Sequence, residues 1–276
     1  LAFTEPWLFD IPLWSQANLW NFTREFDTYN LDSSGFGATL GYPIWKNITG
    51  YLGYRFARDN VKDIQTGASY YIRKQAGWTT TSSVSLTLSL DTTDDSMFPS
   101  RGTRISTTVD HAGGPLGGDN SFTKYGASAA WFYPLPLEMV FDVRGRIGYL
   151  QNNSDRDLPI YERFILGGIN TLRGLRDVGT RDPATGDIIG GTTMLCGSVE
   201  VVFPLIKNAG MKGVVFYDTG NAWDGGYSLS DLRQTAGLGV RWYSPIGPLR
   251  LEWGYVLDRK ENESASRFEF TIGMFM

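Results

Sequence analysis

Val84-Ser85-Leu86-Thr87-Leu88-Ser89-Leu90 alternates without interruption: Val84, Leu86, Leu88 and Leu90 share one face of an extended chain, and Ser85, Thr87 and Ser89 the other. Successive side chains of a strand point to opposite faces, so this stretch is a strand with one apolar and one polar side. The pattern returns in Leu249, Leu251, Trp253, Tyr255 and Leu257 against Arg250, Glu252 and Gly254. It returns again in Phe141, Val143, Gly145 and Ile147 against Asp142, Arg144, Arg146 and Gly148. A soluble sandwich would show that charged face to bulk water, whereas a membrane barrel would enclose it as a polar lumen. Aromatic residues gather where strands end, at Trp7, Phe9, Trp131, Phe132, Tyr133, Trp223, Tyr227, Trp242 and Tyr243. Two interfacial girdles would sit there, which favours the barrel.

Extending the period-two reading outward gives about thirteen segments: 1–8, 13–27, 35–42, 48–61, 80–91, 103–110, 121–133, 139–150, 194–205, 212–221, 233–243, 249–257 and 267–276. Most reach the roughly 9–11 residues a tilted strand needs to cross a bilayer. The connections alternate in length. Those near Phe9, Pro43, Asp94, Pro134, Ile206 and Ser244 are short and rich in Pro, Gly, Asn or Asp; their opposite numbers are mostly longer. Short turns on one side and long loops on the other place the short side in the periplasm, and the last strand then runs down to Met276. Thirteen strands ending downward make the first run downward too, whereas such barrels have even counts, and an open sheet leaves two unpaired edges in lipid. The expectation is that N-terminal strands precede this chain, or that something else pairs with the free edges.

Composition agrees. In 276 residues there are 33 Gly and 9 Trp, with aromatic residues at 14%, which suits a β-rich, aromatic-banded protein. A net charge of -4 without clustered Lys and Arg argues against a nucleic-acid partner. No apolar run reaches the roughly 18 residues of a spanning helix, which says nothing against strands. Catalysis is poorly supplied. A single His, His111, and a single Cys, Cys196, give no multi-His metal cluster, and no Gly-x-Ser-x-Gly elbow appears. His111 reads as a loop residue and Cys196 as an unactivated thiol. The reading is therefore a non-enzyme without cofactor or metal.

The anomaly is the connection over residues 151–193, far longer than an ordinary loop yet carrying Phe164, Ile165, Leu166, Ile169 and Leu172 among its glycines. Leu172-Arg173-Gly174-Leu175 sets an always-charged fork beside a residue that lets backbone come close, suited to docking a guanidinium on a buried carboxylate. Glu200, on a face with Ser198 and Val202, and Asp218, on a face with Phe216 and Gly220, would both look into the lumen from adjacent strands. The loop is expected to fold inward, with Arg173 on Asp218 first and Glu200 second. Arg144, Arg146 and Arg241 are the alternative counter-ions. Asp91, Asp94 and Asp95 lack EF-hand spacing, so a side-chain-capped turn is expected there.

On these residues the chain resembles the BamA-type outer-membrane assembly and translocation proteins. Leu172-Arg173-Gly174-Leu175 looks like the family's Arg-Gly tip of the sixth outer loop, and Phe216-Tyr217-Asp218-Thr219-Gly220 like its Phe-x-Asp-x-Gly strand. Gly197-Ser198-Val199-Glu200 is similar to its Gly-x-x-Glu motif. Asp91-Thr92-Thr93-Asp94 with Pro99 and Gly102 resembles its periplasmic turn, and Ser244–Arg250 the turn before the last hairpin. The final strand, with Phe268, Phe270, Ile272 and Gly273, has the alternation of an outer-membrane targeting signal, but ends in Met276 where an aromatic is usual. The resemblance implies an all-β, transmembrane antiparallel barrel over residues 1–276, sixteen-stranded in the family. Leu1–Trp7 looks like the end of the fourth strand, so three strands and the periplasmic POTRA repeats would precede it.

The same resemblance implies an insertase of the bacterial outer membrane, acting on unfolded outer-membrane protein clients among outer-membrane lipids, with periplasmic lipoproteins attached through the POTRA repeats. Client strands would be templated at a seam between first and last strands. Gly273 could kink the last strand inward there or make room for a bulky aromatic. A secretion pore of the same family is the alternative, the number of upstream repeats discriminating the two. A porin needs no docked Arg-Gly loop, and a hydrolase needs a base this chain hardly has.

Overall fold

The computed structural model describes residues 1–244, 247–261 and 263–273. In it the alternating segments become thirteen strands of one sheet, each hydrogen-bonded antiparallel to its neighbours in sequence. They are β1 (Ala2–Glu5), β2 (Trp14–Glu25), β3 (Asn30–Trp45), β4 (Ile48–Lys62), β5 (Gly77–Asp91) and β6 (Gly102–Ala112). There follow β7 (Phe122–Pro134), β8 (Val140–Asn152), β9 (Thr193–Ile206), β10 (Met211–Trp223), β11 (Arg233–Ser244), β12 (Gly247–Val256) and β13 (Ser266–Ile272). No described helix is long and apolar enough to cross a membrane. The sheet is open, with β1 and β13 as its edges.

Register fixes the faces. Leu86 is 54% exposed on the outside, while Thr87 turns inward and shares a hydrogen bond of 2.8 Å with the hydroxyl of Thr108 on β6. Ile105, Val109, Tyr125, Ile147, Val215, Tyr217, Leu238, Leu251 and Phe270 continue the exposed apolar face around the sheet. A belt of that kind is stable only against lipid.

The structure corrects several boundaries. β3 starts at Asn30 rather than Gly35, because the inward Leu31 and Ser33 are buried by the loop side of the sheet even though their neighbours are polar. β6 runs past Asp110, so His111 is a strand residue and not a loop residue; its Nδ1 lies 2.9 Å from the Thr123 hydroxyl. Phe132 and Trp223 leave the aromatic girdles and are buried. Phe132 lies between the exposed Trp131 and Tyr133, so the pleat turns it inward. At Trp223 the loop lies against the strand main chain to main chain, so close that a Cβ on Gly191 would sit 2.5 Å from the Trp223 main-chain nitrogen. The side chain of Tyr243 lies outside the described residues.

Between β8 and β9 the chain does not hang outward. The loop reaches Asp27 through Arg176, Arg55 on β4 through Glu162, Thr79 on β5 through Tyr161 and Lys124 on β7 through Glu162. Its tip reaches Glu252 on β12 and Glu269 on β13. One segment touching strands from both halves of the sheet means that the sheet curls around it.

Candidate functional site: the docked tip of the loop between β8 and β9

The loop is a hairpin in its own right. Phe164 and Gly191 exchange backbone hydrogen bonds, as do Leu166 and Val178, and the Gly168 N–H closes on the Leu175 carbonyl at 2.9 Å. These rungs carry the tip, residues 168–175, into the lumen. Leu172 and Leu175 anchor it by packing with Leu166, Val178, Cys196, Ala222 and Val256. Burying each leucine is worth about 1.5–3 kcal/mol. Cys196 is thereby a packing residue.

Arg173 stands between the two leucines and is 3% exposed. Its Nε donates to Asp218 Oδ2 at 2.7 Å and its Nη2 to Asp218 Oδ1 at 2.5 Å, a bidentate fork. Nη1 donates to Glu200 Oε1 at 2.6 Å and to Glu252 Oε2 at 2.8 Å, and Nη2 also reaches the Ser198 hydroxyl at 2.9 Å. The guanidinium carbon lies 3.5 Å from the centroid of the Phe216 ring, a cation–π contact that closes its open face. Phe216 can lie there because its neighbour on β11 is Gly237, where a Cβ would come within 2.4 Å of the ring.

Of the counter-ions expected as alternatives to Arg173, Arg144 and Arg241 join it instead, with Arg250 beside them, whereas Arg146 enters no ion pair among the described residues. Arg144 bonds Asp142 and Glu200, Arg241 bonds Glu200 and Glu252, and Arg250 bonds Glu252. Burying charges is costly unless each is paired, which this mutual arrangement achieves, with Asp142 Oδ1 alone of its carboxylate oxygens buried without a hydrogen bond. Arg250 also donates to the Ile169 carbonyl at 3.2 Å, tying β12 to the descending limb of the tip.

Gly174 has φ +90, and its backbone rests against that of Gly254 on β12. A side chain at either position would collide with main chain. Gly220 is similarly confined by Leu195 and Cys196, whereas a Cβ on Gly197 would meet nothing nearer than 3.5 Å. Glu252, Ser198, Gly254 and Glu269 were not singled out from the sequence. The available signal was the lumen-facing register they share with Asp218 and Glu200.

The turn between β5 and β6, expected on the periplasmic side, is separate from the tip. Asp91 accepts the Thr93 N–H at 2.9 Å, Asp94 the N–H groups of Ser100 and Arg101 at 2.9 and 3.1 Å, and Asp95 those of Met97 and Phe98. The turn is thus capped by side chains. Hydrogen bonds to its charged form hold the Asp94 carboxyl down to about 2, the Ser100 hydroxyl foremost. Gly102 lets the strand pass within 2.5 Å of the Thr92 carbonyl oxygen, measured from a Cβ placed there, and Pro99 lines the lumenal cavity of about 660 Å³ above the turn.

On β13, Phe268, Phe270 and Ile272 face outward and are exposed. Gly273 follows at φ +129, and a Cβ on it would meet nothing within 4 Å, so it accommodates no bulky neighbour among the described residues. Met276, with Pro245 and Ile246 of the preceding turn, lies outside the described residues.

A curled antiparallel sheet with an apolar outside, a charged lumen and a long loop docked inside defines an outer-membrane β-barrel. The model of the Omp85 superfamily domain matches residues 1–276, and the chain belongs to that family. The outer membrane protein assembly factor BamA of Nitratidesulfovibrio vulgaris is 33% identical over 282 residues, covering 99% of this chain and 36% of the relative. The sorting and assembly machinery component 50 homolog of Mus musculus is 28% identical over 199 residues, covering 71% of this chain and 42% of its own length. Among solved structures, BamA from Haemophilus ducreyi lacking POTRA domains 1–3 superposes with a TM-score of 0.83 at 21% identity, covering 99% of this chain and 61% of that one. The chain thus spans well under half the length of these curated relatives.

Proposed function

We propose that this chain is the membrane barrel of an outer-membrane protein assembly factor, which folds and inserts client β-barrels by offering them a strand edge at a lateral seam. A strand crossing lipid unpaired would leave every backbone N–H and C=O unsatisfied, so a templating edge removes the main barrier to insertion. The observation that carries this reading is the docking of the Arg173–Gly174 tip across β9, β10, β12 and β13. It braces the strands next to the terminal edge and occupies the lumen beside them. A conduit for secreted chains would need that space, so the bracing supports assembly over the secretion pore, and the similarity to assembly factors points the same way. Clients would be unfolded outer-membrane proteins. Lipoprotein partners would attach through periplasmic repeats of the kind the family carries.

The test is a cysteine pair joining the last strand to the first strand of the complete protein in lipid. A locked seam should stop client insertion, with reduction restoring it. Unimpaired insertion through a fully locked seam would overturn lateral templating, and retained export of a passenger through a locked barrel would favour the conduit.

A further inference from the structure

Glu269 stands directly opposite Glu252 in the β12–β13 ladder, and both carboxylates are buried on the lumenal side. Opposite residues on neighbouring strands bring their Cβ atoms to about 5 Å, where like charges are destabilising. Glu252 is fully compensated by Arg173, Arg241 and Arg250. The network it belongs to is balanced: four guanidiniums (Arg144, Arg173, Arg241 and Arg250) face four carboxylates (Asp142, Glu200, Asp218 and Glu252).

Glu269 is a fifth carboxylate, and it enters no ion pair among the described residues. Its Oε1 accepts the N–H of Gly174 at 3.2 Å, and its Oε2 is buried without a partner. Arg267, two residues earlier on the same face, is exposed and forms no ion pair with it. The tip holds Glu269 through Gly174, whose N–H donates to it, and Gly168 on the other limb leaves room beside Oε2, a Cβ there lying 4.0 Å away. The terminal strand therefore carries a carboxylate whose hydrogen-bond donor, among the described residues, comes from the loop and not from the sheet.

We propose that Glu269 is a positioning residue that makes the pairing of β13 conditional on the loop tip. With the tip docked, Arg173 neutralises Glu252, the Gly174 N–H satisfies Glu269, and β13 keeps its register. With the tip withdrawn, Glu252 loses one of its three cations and Glu269 loses its donor. Two carboxylates then face each other across the last ladder of the sheet, and β13 is driven from β12. As a control of the seam this rests on the strand-templating reading; the coupling itself is measured without any assembly assay.

Leu251 and Phe270 are register partners on the exposed outer face, so nitroxides at Leu251→Cys and Phe270→Cys report β12–β13 separation without entering the lumen. The buried Cys196 is shielded from the label. In bilayers, the parent and Glu269→Gln should both show strong dipolar broadening, the amide still accepting from Gly174. Arg173→Ala should lose the broadening toward the singly labelled level, and Arg173→Ala with Glu269→Gln should regain it. Rescue by a substitution at a buried position is not what a merely structural glutamate gives. Should Arg173→Ala fail to fold, Arg173→Lys enters the same comparison, because an ammonium cannot reproduce the fork. Unchanged broadening on loss of the arginine fork, or equal loss with and without Glu269→Gln, would overturn the proposal. Rescued pairing with client insertion indifferent to it would leave the coupling standing and count against strand templating.

Discussion

Gly174 and Gly254 stand back to back: a Cβ on Gly254 would lie 2.5 Å from the Arg173 carbonyl, and one on Gly174 2.7 Å from the Gly254 carbonyl. Both obstacles are main chain, which cannot rotate away as a side-chain end could. The contact lets the tip sit deep enough for the guanidinium to reach Asp218, Glu200 and Glu252 together. Gly254→Ala should therefore lift the tip while leaving the outer face intact. The expected cost is about 1–3 kcal/mol, as for overpacking a tight interior. Protease cleavage after the loop residues Arg176 and Arg181 should accelerate in the folded barrel. Unchanged cleavage and melting would show that the backbones have room to part.

Removing the guanidinium is a harsher change. Arg173→Ala leaves Asp218 with only the hydroxyl of Ser198 and the main-chain N–H of residue 173 as donors among the described residues. Deleting one member of a buried ion pair costs about 3–5 kcal/mol, because the partner stays buried and uncompensated. The folded barrel should lose its resistance to unfolding in detergent at a distinctly lower temperature, with client insertion slowed. Arg173→Lys should recover only part of either property. Full recovery by lysine would mean that charge alone, without the fork and the Phe216 face, holds the tip.

The strands were legible because a barrel wall repeats one simple rule, and the inward facing of Glu200 and Asp218 follows from that rule. What the register does not contain is which lumenal groups meet. Glu252 is 79 residues from Arg173 in sequence and sits on a polar face like any other. Its closeness depends on how far the tip descends, which Gly254 and Gly237 set. The pairing of Leu166 with Val178 inside the loop was hidden for another reason: single bridges leave no period. Phe132 and Trp223 read as girdle residues because composition shows where aromatics cluster, while the pleat and a covering loop decide which way each one turns.

Residues on the two faces of β5 should sense different surroundings. Leu86 projects into the apolar belt, while Thr87 meets Thr108 in the lumen. In bilayers, a spin label at Leu86→Cys should be quenched by oxygen dissolved in lipid, and one at Thr87→Cys by a water-soluble nickel complex. A slip of one residue exchanges the two results. Equal access of the nickel complex to both positions would contradict an outward face made for lipid.

The turn between β5 and β6 gives a pH test that involves no group within the strands. The folded carboxyl of Asp94 is held down to about 2 from its ordinary 3.8, by the hydroxyl and N–H of Ser100 and the N–H of Arg101. A carboxyl whose folded value is depressed contributes its stabilisation fully above the unfolded value and loses it as pH falls through the folded one. The turn should therefore stay ordered from neutral pH to about 4 and loosen between about 4 and 2. Hydrogen exchange at the Ser100 and Arg101 amides, compared with strand amides of β5, reads this directly once the intrinsic rate at each pH is divided out. Asp94→Asn keeps an acceptor but removes the titrating charge, so its turn should be weaker at neutral pH and show no change in protection across that window. The side chain is almost fully solvated, so the effect should be confined to the turn and leave the unfolding temperature of the barrel nearly unmoved. A pH-independent turn in the parent chain would mean that the backbone, with Gly102 at its close approach to Thr92, holds the turn without help from the aspartate.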